Sequence, residues 1–221
     1  MKHTAERAAR NIAVIGGGPA GLMAAEVLAE QGTSVELFDA MPSVGRKFLL
    51  AGVGGMNITH SEPFESFVLR YGPRQQEIRS LLEPFDAEAL RTWVHDLGIS
   101  TFVGSSGRVF PADMKAAPLL RAWLHRLRDS GVRFHKRHRF SGWTPNGDLR
   151  FLTPEGEFSR KFDAVVLALG GASWARLGSD GAWVPWLAEK RVNMAPLQPS
   201  NCGFEVAWSD HLRERFAGTP L

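Results

Sequence analysis

The stretch from Asn11 to Ala40, NIAVIGGGPAGLMAAEVLAEQGTSVELFDA, constrains the fold more than any other part of the sequence. Ile12 to Ile15 form a short apolar run of the kind a strand buried on both faces needs. Gly16, Gly18 and Gly21 follow with GxGxxG spacing, and a helix-forming run (Leu22, Met23, Ala24, Ala25) begins at once. Gly32 is placed to stop that helix, and Ser34 to Asp39 reads as a second strand. Each glycine has a physical reason: a tight turn out of the strand, close approach of backbone to a pyrophosphate, and close helix–strand packing. The N–H groups that open the helix suit a dianion. Asp39 lies about 20 residues beyond the glycines, where a carboxylate can accept hydrogen bonds from ribose hydroxyls and would repel a 2′-phosphate. Gly16, Gly18, Pro19, Ala20, Gly21, Asp39 and Ala40 are therefore the candidate dinucleotide cradle. The spacing disfavours NADP and leaves NAD and FAD open.

Composition narrows the class. A chain of 221 residues with 22% charged side chains can bury a sizeable core. The net charge of +3 is no argument for a nucleic-acid partner. The single cysteine, Cys202, excludes an intrachain disulfide, a CxxC redox pair and a cysteine-based zinc site. The N-terminal residues lack the apolar core of a secretory signal, and no apolar run reaches the length of a membrane span. The expectation is a cytoplasmic protein with no membrane partner.

Between Glu62 and Gly98 the pattern predicts two or three helical pieces over the sheet, broken at Gly72-Pro73 and Pro84. Asp86 is the expected N-cap of the last, and Gly98 its stop. Asp113 is expected to cap a further helix carrying Leu119, Leu120, Trp123, Leu124 and Leu127, with Pro118 early enough to be tolerated. The dipeptides Asn146-Gly147 and Glu155-Gly156 predict a three-stranded meander, followed by a buried strand over Ala164 to Leu169. Arg108 and Lys115 read as solvated loop charges. The basic run from Arg133 to Arg139 reads as a solvated strand surface rather than a phosphate patch. His135 and His138 lack neighbouring ligand partners, so no metal is assigned.

Three further motifs, GRKFLLAGVGGMNITHSE, GRVFP and LALGGASWARLGSDGAW, occur in this order. On them the chain resembles the YhiN/BaiN-like bacterial flavoproteins, NAD(P)/FAD-dependent oxidoreductases with a glutathione-reductase-like FAD-binding fold. The resemblance implies a Rossmann-like α/β domain with a parallel sheet, a β-meander and a helical insertion over residues 1–195. It also implies that residues 196–221 begin a β-rich inserted domain of a longer chain. The implied cofactor is FAD, with NAD(P)H as electron donor. Arg46, Lys47, Gly52, Gly54, Gly55 and Asn57 would pass beside the pyrophosphate and flavin, and Ala168, Gly170 and Gly171 would approach it from the second glycine-bearing strand end. Lys47 is the implied cation beside the flavin ring, and His60 is expected as a loop histidine. Many relatives carry Arg-Cys-Asn where this chain has Gly55-Met56-Asn57, so no role for that cysteine transfers. The expected function is hydride or electron transfer through FAD to a small-molecule substrate. The alternatives are a non-catalytic nucleotide-binding module and a flavoenzyme acting on nucleic acid.

Overall fold

The computed structural model describes residues 10–51, 54–198 and 207–216. Strands β1 (Asn11–Ile15) and β2 (Ser34–Asp39) flank helix α1 (Pro19–Glu30), and α2 (Arg46–Ala51) follows. Next come β3 (Thr59–His60) and the helices α3 (Phe64–Leu69), α4 (Gln75–Leu82) and α5 (Ala87–Asp96). Strands β4 (Thr101–Val103) and β5 (Arg108–Pro111) lead into α6 (Ala116–Asp129) and β6 (Arg133–Lys136). The meander consists of β7 (Arg139–Trp143), β8 (Leu149–Thr153) and β9 (Gly156–Arg160). It is followed by β10 (Ala164–Leu167), α7 (Trp183–Glu189) and α8 (Asp210–Phe216).

A parallel sheet in the order β10-β1-β2-β6 organises the chain. Val14 pairs with Val166 on one side and Leu37 on the other, in the middle of the sheet. Strand alternation then divides the core between two faces. Val14, Val35 and Leu37 face α1 and α6, packing with Leu22, Ala25, Leu120, Trp123 and Leu127. Ala13, Ile15 and Phe38 face the meander and pack with Phe140, Leu149 and Phe151. Full burial of side chains such as Leu22 and Leu37 stabilises the fold by about 2 kcal/mol each.

Each face also buries one carboxylate. Glu26 of α1, 3% exposed, accepts hydrogen bonds from Trp93 Nε1 at 3.1 Å, Trp123 Nε1 at 2.5 Å and Arg126 Nη1 at 3.0 Å. That joins α1 to α5 and α6. Glu36 of β2, 1% exposed, accepts from Arg133, His135 and Arg160, at 2.7–2.8 Å, joining β2, β6 and β9.

Asp86 caps α5 as expected, accepting from the N–H groups of Glu88 and Ala89, and Gly98 takes the left-handed conformation just beyond its end. Three expectations need correction. The cap position of α6 is Lys115, in extended conformation, while Asp113 accepts the N–H of Lys115 in the preceding turn. Strand β10 ends at Leu167 and is half-buried, because among the described residues only β1 pairs with it, and Gly170 at φ 75° turns the chain away. A small antiparallel sheet, β3-β5-β4, had no counterpart in the pattern and places Arg108 on a strand opposite His60. Among the described residues no helix is long and apolar enough to cross a membrane. Of residues 196–221, expected to start a second domain, 199–206 and 217–221 lie outside the described residues, as does Gly52.

Candidate functional site

The parallel strands β1 and β2 end at a cleft of about 610 Å³. Its floor is the glycine turn, and three glycines there have different geometry. Gly16 takes φ 107°, and a Cβ on it would stand 2.3 Å from the Ala168 carbonyl oxygen. A Cβ on Gly21 would stand 1.8 Å from the Gly16 carbonyl oxygen, so α1 and β1 touch backbone to backbone. A Cβ on Gly18 would meet nothing within 4 Å. Two of the glycines are therefore required by the protein's own packing, and the third leaves room above the turn. Gly18 is also the N-cap of α1, with no side chain to cap the first-turn amides, and Pro19 contributes no N–H. The opening of this twelve-residue helix thus presents backbone donors and the positive end of its dipole to the cleft.

Asp39 stands across from the turn. Its Oδ2 accepts the N–H of Gly17 and its Oδ1 the N–H of Met41, each at 2.7 Å. Burial pushes its carboxyl above the usual range, against the pull of those two N–H groups and of the Arg46 guanidinium. Gly17 was not singled out from the sequence. Its N–H holds Asp39, its carbonyl accepts from Gly45, and a Cβ there would meet Val44 at 2.4 Å.

The far wall comes from α2 and from the chain after β10. Lys47 Nζ donates to Ser173 Oγ, which ties α2 to the loop beyond Gly171. Arg139 of β7 pairs with Asp180 at 2.9 Å, and Trp183 Nε1 donates to the Gly170 carbonyl at 3.1 Å. Leu167, Leu169, Trp183 and Trp186 make this part of the wall apolar. Arg46 Nε and Ser179 Oγ are buried without a hydrogen-bond partner among the described residues, and both residues line the cleft. Unsatisfied polar atoms of this kind, in a cleft that is otherwise well packed, suit a polar ligand.

Gly16, Gly18, Pro19, Ala20, Asp39, Ala40, Arg46, Lys47, Ala168 and Gly170 all line this cleft. Gly21 lies buried beneath its floor. Gly54, Gly55, Asn57 and Gly171 are not among the lining residues. Gly55 packs against Met114, and Asn57 spends its amide on the carbonyls of Thr59 and Val109, bracing the β3-β5 pair. His138, Arg139, Ser179 and Asp180 also line the cleft and were not assigned to it from sequence. The only local signal for the last two was the glycine-bracketed LGSDG after a strand end.

The HI0933-like protein Rossmann domain matches residues 10–207. The chain belongs to that family. A ribosomal RNA dihydrouridine synthase from Haemophilus influenzae is 33% identical over 97 residues, which is 44% of this chain and 24% of the relative. Among solved structures, a flavocytochrome c3 fumarate reductase in its open conformation superposes with a TM-score of 0.62 at 17% identity, covering 82% of this chain and 40% of that one. A 3-ketosteroid-Δ4-(5α)-dehydrogenase from Rhodococcus jostii RHA1 gives 0.55 at 16% identity, covering 76% and 47%. Thermovibrio ammonificans THI4 gives 0.50 at 18% identity, covering 82% and 62%. These likenesses establish the fold, and the chain spans less than two thirds of each of these proteins.

Proposed function

We propose that this chain forms the FAD-binding part of a flavin-dependent oxidoreductase resembling the YhiN/BaiN-like proteins. The observation that carries the proposal is the contrast within the glycine turn: Gly16 and Gly21 sealed against backbone, Gly18 open at an uncapped helix N-terminus, and Asp39 opposite. The donor set fits a dinucleotide. First-turn amides of α1 would hold the pyrophosphate, Asp39 would take ribose hydroxyls, and Arg46 would bring its unpartnered Nε to an anionic or carbonyl oxygen. FAD is preferred over NAD because the cleft continues past the turn to the apolar wall of Leu169, Trp183 and Trp186, which suits a large planar ring. Bound FAD would supply two-electron chemistry, with NAD(P)H as the proposed donor. The chain's own part is to orient the cofactor, exclude water with the apolar wall, and keep the Lys47 ammonium fixed through Ser173 at the α2 side. We place residues 1–195 in this domain and 196–221 at the start of a second.

A second reading is that the substrate is a ribosomal RNA uracil, and the name of the Haemophilus influenzae relative is what favours it. The basic run from Arg133 to Arg139 offers only part of such a surface: Arg133 and His135 are engaged by Glu36 and Arg139 by Asp180, while no ion pair is found for Lys136 or Arg137 among the described residues. Salt-sensitive RNA binding that disappears in Arg137→Ala with Arg139→Ala would support RNA contact on this strand, and binding unchanged by the pair would remove the basic run as its motive.

The deciding experiment is visible absorbance of the purified chain after incubation with excess FAD and removal of unbound cofactor. A retained flavin spectrum in the native chain, lost in Gly18→Val while the fold is kept, is expected. A colourless chain that binds NAD instead would overturn the flavin assignment.

A further inference from the structure

We infer that His138 reads the base at the far end of the dinucleotide, accepting a hydrogen bond from the exocyclic amino group of adenine. The inference rests on the FAD reading above and names a contact which that reading does not require.

The turn between β6 and β7 is fastened to the chain leaving β2. Arg137, at φ 59°, donates its N–H to the Met41 carbonyl at 3.1 Å, and His138 donates its N–H to the Asp39 carbonyl at 2.9 Å. The imidazole therefore belongs to the part of the cleft just beyond the carboxylate that would hold the ribose, where the base must go. The ring is half-buried and lines the cleft. Its centroid lies 5.9 Å from Phe38, 5.4 Å from His135 and 5.6 Å from Phe158, which hold it in place from several sides.

The tautomer follows from one contact. His138 Nδ1 lies 2.8 Å from the Lys136 carbonyl oxygen. A carbonyl cannot donate, so Nδ1 carries the proton, and in the neutral ring Nε2 is left as an acceptor. Among the described residues Nε2 has no hydrogen-bond partner. Of its neighbours, Arg139 is paired with Asp180, and the Asp39 carboxylate, which already holds two backbone N–H groups, is the acceptor assigned above to the ribose. A lone acceptor at this position discriminates between purines. Adenine offers an amino group at carbon 6, whereas guanine and hypoxanthine present a carbonyl oxygen that Nε2 would repel.

The test is a binding titration of the full chain with FAD and with its hypoxanthine analogue, in which the 6-amino group is replaced by a carbonyl oxygen and N1 carries a proton. The wild-type chain is expected to prefer FAD by roughly tenfold, as expected for one hydrogen bond lost with an acceptor left unpaired. His138→Phe, which keeps a ring but removes the acceptor, is expected to bind both analogues equally. His138→Gln, which can restore an acceptor, should recover part of the preference. Equal wild-type affinity for the two flavins overturns the inference and leaves the FAD reading standing, whether or not the variants fold. An undiminished preference in His138→Phe also overturns it. A wild-type chain that binds neither flavin refutes the FAD reading, and this inference with it.

Discussion

Glu36 and Asp39 lie three positions apart on one strand, the first fully buried and the second half-buried at the strand end, and their surroundings shift them in opposite directions. Burial pushes Glu36 up, but the hydrogen bond and charge of Arg133, the charge of Arg160 and the hydrogen bond of His135 together hold it below its ordinary value of 4.5. Burial dominates at Asp39 and raises it above 3.8, because only two backbone N–H groups and the Arg46 charge work the other way. A buried carboxylate supplied with cationic side chains is part of the scaffold. One placed at a strand end, with backbone donors and an open cleft before it, is poised to accept hydrogen bonds from a ligand.

The largest test of this contrast is Glu36→Ala. It leaves Arg133, Arg160 and His135 converging on an empty site, and a loss of about 3 kcal/mol in urea unfolding is expected, at the low end for a broken buried pair because both guanidinium groups reach solvent. Asp39→Asn should show the reverse pattern. Unfolding stability should stay within about 1 kcal/mol, while FAD affinity falls at least tenfold, since roughly 1.5–3 kcal/mol resides in a hydrogen bond to a charged acceptor. Equal destabilisation by the two substitutions would abolish the distinction.

The pH dependence sharpens it further. Glu36 is depressed in the folded state, so the unfolded chain takes up its proton first as pH falls. Its contribution is fully present above about 4.5 and is lost as pH falls through the folded value. Asp39 is raised, so its contribution has the opposite sign: it is present below about 3.8 and lost as pH rises through the folded value. Urea midpoints across the acid range should therefore vary less steeply with pH in Glu36→Gln and more steeply in Asp39→Asn. The smallest effect is expected for Arg139→Met. Its pairing with Asp180 is partly solvent-exposed, and the change in stability should be under about 1 kcal/mol by the same urea assay.

The cradle was legible in the sequence because its determinants are local. Gly16, Gly18 and Gly21 lie within one turn and Asp39 closes the same strand–helix–strand unit, so spacing alone relates them. The meander turns at Asn146-Gly147 and Glu155-Gly156 were legible for the same reason. The wall of the cleft was not. Lys47 and Ser173 are 126 residues apart, and Arg139 and Asp180 are 41 apart, so nothing in a short window links them. The β3-β5 pair was missed because a strand of two residues has no period to detect. Asn57, Gly54 and Gly55 entered through family resemblance, and the structure gives Asn57 and Gly55 packing and bracing contacts beside that small sheet. Glu36 illustrates a further limit: nothing in the sequence singles it out, and only the tertiary arrival of Arg133 and Arg160 explains its burial.

Four of the seven indoles form two groups placed on opposite sides of the sheet. Trp93 and Trp123 meet Glu26 beneath α1, on the helical face of the sheet, while Trp183 and Trp186 stand in the wall of the cleft. Emission from the first pair should follow the docking of the helices, and emission from the second the filling of the cleft it lines. With Trp143, Trp174, Trp208 and one of the two pairs replaced by phenylalanine, emission from the remaining pair would separate filling of the site from loosening of the fold.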